Sequence, residues 1–93
     1  MTFDRPVGLL CDRHSIPILL CIEEHGTCTK TRVYENIGRN ANIPSKIQAL
    51  ADAGLVDIME TGRADVLSLT GFGCLVVGRI HDIDDVMSTA QEP

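Results

Sequence analysis

The chain has 93 residues, 44% apolar and 23% charged, which suffices for one small domain with a modest core and leaves no room for a second. Its longest uncharged run, Val66 to Gly78, includes three glycines and falls short of the ~18 apolar residues of a membrane span, so no membrane helix is expected. Thirteen acidic against eight basic residues give a net charge of −5, a balance that opposes nucleic-acid binding unless positive charge is concentrated locally. It is concentrated. Met1 to His25 carries a net −2 and Ala51 to Pro93 a net −6, whereas Gly26 to Leu50 holds Lys30, Arg32, Arg39 and Lys46 against Glu35 alone, a net +3. A field is read within about a Debye length, ~8 Å at physiological salt, so this basic island counts for more than the total.

The opening Met1-Thr2-Phe3-Asp4-Arg5-Pro6 lacks the basic and apolar regions of a signal peptide, and a cytosolic protein is expected. After this lead-in, Ser15 is placed to cap a helix with Pro17 in its first turn and Ile16, Leu19, Leu20 and Glu23 at helical spacing, until His25-Gly26 stops it. Thr27, Cys28 and Thr29 read as extended. Lys30 to Ile37 forms a short helix with Val33, Tyr34 and Ile37 inward, ended by Gly38. Arg39-Asn40-Ala41 is the turn to a helix capped by Asn42 and running through Ala53, with Pro44 in its first turn and Ile43, Ile47, Leu50 and Ala51 on one stripe. Its other face carries Ser45, Gln48, Ala49 and Asp52, with Lys46 on the flank. Polar groups near the start of a helix whose opposite side is core, here Asn42, Ser45, Lys46 and Gln48, suit contacts to base edges and phosphates.

Leu55–Met59 and Val66–Leu69 predict an antiparallel hairpin around Thr61-Gly62, with Arg63 near its tip. Thr70 then caps a final helix extending to residue 88, in which Phe72, Val76, Ile80, Ile83 and Met87 make a continuous stripe that Cys74, Leu75 and Val77 widen. So wide an apolar arc implies two partners, its own domain and a second surface. A homodimer joined through Phe72, Leu75, Val76, Ile80, Ile83 and Met87 is the simplest expectation.

The element order, the Val33-Tyr34-Glu35 helix, the run Ile43-Pro44-Ser45-Lys46-Ile47 with Leu50, the sequence Ala53-Gly54-Leu55-Val56, and Leu69-Thr70 followed by Gly73 together resemble a winged helix-turn-helix. They look like the prokaryotic regulators of the MarR and HxlR type, over roughly Ser15 to Met87. The resemblance implies a mainly α fold with a small antiparallel hairpin and a homodimeric regulator, most simply a repressor, bound to duplex DNA. It also implies that the helix from Asn42 enters the major groove, that Lys30, Arg32, Arg39 and Asn40 hold the phosphate backbone, and that Arg63 enters the minor groove. The rival reading is a winged-helix module that binds another protein through its acidic last helix.

Enzyme signatures are missing: the sequence has no phosphate-cradling glycine loop, HExxH or nucleophile elbow, so neither catalysis nor a cofactor is expected. Cys11, Cys21, Cys28 and Cys74 form no CxxC pair and are expected to be buried thiols. Cys11 with His14 and Cys21 with His25 are spaced like metal ligands, but six residues between the pairs leave little chain to wrap a tetrahedral zinc. His81, among acids, reads as a surface residue.

Overall fold

The computed structural model describes residues 6–38 and 42–91. The turn residues Arg39, Asn40 and Ala41, and the opening five residues, lie outside them. A 3-10 helix, Pro6–Cys11, leads into α1 (Ser15–His25), followed by β1 (Thr27–Thr29), α2 (Lys30–Ile37), α3 (Ile43–Asp52), β2 (Val56–Glu60), β3 (Asp65–Leu69) and α4 (Gly71–Gln91). The strands form one antiparallel sheet in the order β1-β3-β2, so the hairpin gains a third strand, with Cys28 opposite Leu67 and Ile58 opposite the same residue on the other side. This is the α+β architecture expected.

The core is aliphatic: Ile18, Leu19 and Ile22 of α1, Val33 of α2, Ile43, Ile47 and Leu50 of α3, Leu67 of β3 and Val77 of α4 are almost wholly buried. α1 sits at its centre, touching all three other helices and the sheet. That central placement corrects the inward stripe: Leu19 is buried as expected, but Ile18 and Ile22 join it, while Ile16 and Leu20 are half-buried and Glu23 is exposed. A helix surrounded on several sides buries an arc too broad for a single-stripe reading.

Two caps also differ from expectation. Ser15 is the first residue of α1, its N-cap is His14, and the buried Ser15 hydroxyl donates to the Leu9 carbonyl at 2.8 Å. Asp12 takes over the capping work, its carboxylate accepting the His14 N–H at 2.9 Å and its carbonyl the Ser15 N–H at 3.1 Å. The lead-in folds back as a 3-10 helix and supplies these acceptors, which no local spacing foretells. Asn42 does occupy the N-cap position of α3, but in helical conformation and without a capping bond from its side chain; its carbonyl receives the Ser45 hydroxyl at 2.9 Å and the Lys46 N–H at 3.0 Å. Thr29, expected only as an extended residue, also caps α2 by accepting the Arg32 N–H at 3.2 Å.

Thr70 caps α4 as expected, accepting the Gly73 N–H at 2.8 Å while donating to the Gly54 carbonyl at 2.6 Å, and so fastens the end of the sheet to the turn after α3. The hairpin loop is Thr61 to Ala64, one residue shorter at each end than the expected strand bounds imply, and α4 runs three residues further, to Gln91. α4 meets its own domain through Gly73 and Val77, with Val76 and Ile80 half-buried; Phe72, Leu75, Ile83 and Met87 of the expected stripe are exposed. Beyond Ile80 every described residue of the helix is exposed, and the molecule extends to 50 × 29 × 26 Å.

Candidate nucleic-acid interface

α3 presents the polar face that its periodicity implies. Ile43, Ile47 and Leu50 turn inward against α1 and β2, while Asn42, Ser45 and Gln48 are exposed and Lys46 is half-buried on the flank. The Lys46 ammonium is engaged: its Nζ lies 2.5 Å from Asp12 Oδ2, so one carboxylate caps α1 and clamps α3. The Lys46 hydrogen bond, followed by that from the His14 backbone, holds the Asp12 carboxyl below the usual carboxylate range.

The second lysine is engaged as well. Lys30, at the start of α2, pairs with Asp65 at the start of β3 across 3.0 Å, joining α2 to the loop end of the hairpin. Gln48 donates to Asp52 at 2.9 Å, one turn along α3. Arg32 and Arg63 are exposed and, among the described residues, make no ion pair. Arg63 is presented on a loop that Thr61 closes, its hydroxyl donating to the Ala64 carbonyl at 2.7 Å and accepting the Ala64 N–H at 3.2 Å. Gly62 takes φ +83° there, a conformation that favours glycine. Arg39 and Asn40 lie outside the described residues.

Between α3 and the hairpin lies an open hollow of about 380 Å³ bordered by Gln48, Asp52, Asp57, Glu60, Asp65 and Lys30. Four carboxylates and one ammonium make that side of α3 negative. The positive groups therefore lie at the α2 start, the Asp12 flank of α3 and the hairpin tip, around a polar helix face. Asp12 and Asp65, the partners of Lys46 and Lys30, are not among the residues expected from the sequence. Each meets its lysine across more than thirty residues of chain, and only tertiary structure brings them together.

The cysteines divide into two kinds. Cys21 and Cys28 are buried with their sulfurs 3.9 Å apart, Asn36 donates to Cys21 Sγ at 3.5 Å, and burial first, then the Cys21 neighbour, pushes the Cys28 thiol up to about 11. Cys11 and Cys74 are exposed, against the expectation of four buried thiols; the first ends the surface 3-10 helix and the second lies on the outer side of α4. Among the described residues, no group of three or more His, Cys, Asp or Glu side chains is placed to hold a metal. His81 is exposed, and its ring sits 2.7 Å from Glu23 of α1.

No family model and no curated protein matches the sequence. Among solved structures, the chain is similar to BpsR of Bordetella bronchiseptica, whose DNA binding is regulated by 6-hydroxynicotinic acid, with a TM-score of 0.76 and 17% identity over 91% of this chain. The match spans 63% of the BpsR chain, under two thirds of its length. It is also similar to Sso10a-2, a DNA-binding protein from Sulfolobus solfataricus, with a TM-score of 0.65 and 21% identity over 84% of this chain and 85% of that one. At these identities the likeness is one of fold, and together with the helix–strand order and three-stranded sheet it defines the chain as an α+β winged helix.

Proposed function

We propose that this chain is a duplex-DNA-binding transcription regulator, acting as a cytoplasmic homodimeric repressor of the MarR or HxlR type. The observation that carries the reading is α3: its first turns expose Asn42, Ser45 and Gln48 opposite a buried Ile43-Ile47-Leu50 stripe, on a fold shared with two proteins described as binding DNA. In this reading Asn42, Ser45 and Gln48 reach base edges, and Lys46 contacts phosphate near the positive end of the helix. Lys30, Arg32, Arg39 and Asn40 grip the backbone, and Arg63 enters the minor groove. The test is a pair of variants titrated with selected and mixed-sequence duplexes. Lys46→Ala weakens binding to all sequences and reduces the salt slope by about 1, whereas Gln48→Ala relaxes preference at one base pair. Parent-like binding by both would refute this docking.

The acidic hollow beside α3 and the engagement of Lys30 and Lys46 by carboxylates favour a second reading, a winged helix that binds another protein. That reading requires a stoichiometric protein complex and no salt-sensitive binding to duplex DNA.

A further inference from the structure

α4 carries two lines of residues with opposite histories along its length. The line facing its own domain, Gly73, Val77 and Ile80, continues as Asp84, Ser88 and Gln91 and turns polar where the helix leaves the body. The neighbouring line, Phe72, Val76, Arg79, Ile83, Val86 and Ala90, alternates steps of four and three and stays apolar but for Arg79 as far as the helix runs. That spacing is the seam of a two-helix coiled coil. Its large members are exposed, Phe72 by 57%, Ile83 by 60% and Val86 by 69%, and Leu75 and Met87 flank them equally open.

We propose that this seam binds the seam of a second copy in antiparallel orientation, centred near His81, a reading that rests on the homodimer proposed above. Three features select the second copy and its direction. Reversal about residue 81 pairs Phe72 with the partner's Ala90, Val76 with the partner's Val86 and Arg79 with the partner's Ile83. The large Phe72 meets the small Ala90, the two valines match and the slender Arg79 stem lies beside Ile83, so the layers fill evenly. A parallel pair instead sets Phe72 on itself, Ala90 on itself, and two Arg79 guanidinium groups face to face.

Charge agrees with this direction. Arg79 lies 3.5 Å from Asp82 on the same helix. Antiparallel pairing offsets the two arginines by four residues, ~6 Å along the axis, and places both Asp82 carboxylates between them. The four charges sum to zero.

The area is also adequate. Five exposed apolar side chains at roughly 100 Å² each bring the pair to about 1,000 Å², the lower bound that a specific interface has to clear. At the Phe72 end, an apolar hollow of about 250 Å³ lined by Pro6, Val7, Leu10, Leu55, Phe72 and Val76 adjoins the seam. The partner's helix end falls across it and covers Val7.

The test combines sedimentation with cysteine trapping. The parent sediments as a dimer and Val86→Asp as a folded monomer; Val86 lies beyond the body, so its substitution leaves the core intact. With Cys11 and Cys74 replaced by serine, a mixture of Phe72→Cys and Ala90→Cys chains forms a disulfide-linked pair on oxidation, and neither variant alone does. Cross-linking of either variant alone overturns the orientation while the homodimer stands. A Val86→Asp dimer overturns the seam, and a monomeric parent overturns both the seam and the homodimer. Duplex titration is a separate readout, so failure to bind DNA is told apart from each of these.

Discussion

Asp12 reaches Lys46 across 2.5 Å and ties the N-terminal lead-in to the helix proposed to read DNA. The ammonium proposed to contact phosphate is thus already paired in the free protein, and in that reading binding exchanges a carboxylate for a phosphate. Asp12→Asn leaves the side chain in place without its charge. It is expected to tighten duplex binding and steepen its salt dependence by about one phosphate contact, measured by anisotropy at several salt concentrations. Unchanged binding would mean that Lys46 takes no part.

The same pair makes stability depend on pH. The folded Asp12 carboxyl titrates below its unfolded value, so its contribution is present above about pH 3.9 and is lost as pH falls through the lower, folded value. Urea midpoints measured across that acid range should fall less steeply for Asp12→Asn than for the parent. Parallel curves would show that the contact does not persist in solution.

Gly73 permits the close approach of α4 to the strand entrance. A Cβ there would run into the carbonyl oxygen of Leu55, a backbone group already held by the Thr70 N–H at 3.1 Å. Replacing a helical glycine with alanine ordinarily gains about 1 kcal/mol from propensity. The clash outweighs that gain, and Gly73→Ala is expected to lose about 2 kcal/mol in denaturant unfolding. A variant as stable as the parent would show that α4 does not pack this closely.

These details mark where sequence was legible. α2 from Lys30 to Ile37, the Thr70 cap, and the Ile43-Ile47-Leu50 stripe follow from local spacing and turn residues, and each matches the structure. The inward arc of α1 and the capping by Asp12 do not, because both depend on elements distant in the chain. The candidate interface residues divide in the same way. Exposure of Ser45 and Gln48 follows from helical periodicity, whereas the partners of Lys30 and Lys46 come from tertiary folding. Val86 and Ala90 of the proposed seam lie off the expected stripe, which followed Ile80 and Met87, nearer the domain side of α4.

His81 and Glu23 join α4 to α1 at 2.7 Å, and the hydrogen bond to Glu23, its charge, and then Asp84 and Asp85 hold the imidazole above its usual range. The charged contact is complete below the ordinary histidine value of about 6.5 and is lost as pH rises through the higher, folded value. An NMR titration of His81 should give a midpoint above 6.5 that drops in Glu23→Gln. An identical midpoint in the variant would place Glu23 away from the ring.

Thiol labelling separates the four cysteines. Cys11 and Cys74 should react rapidly with an alkylating probe at pH 8, whereas Cys21 and Cys28 react only on unfolding, since Cys28 at about 11 holds roughly one part in a thousand as thiolate. Four equally fast thiols would contradict the packing of α1 against β1.

Binding to DNA is read out by anisotropy of labelled mixed-sequence duplex titrated with the protein between ~50 and ~200 mM salt. A DNA-binding chain is expected to show a log affinity that falls linearly with log salt, with a slope reflecting several phosphate contacts made by the basic groups around α3. Absence of binding at the lowest salt, or binding indifferent to salt, would contradict it and leave the protein-binding winged helix in its place.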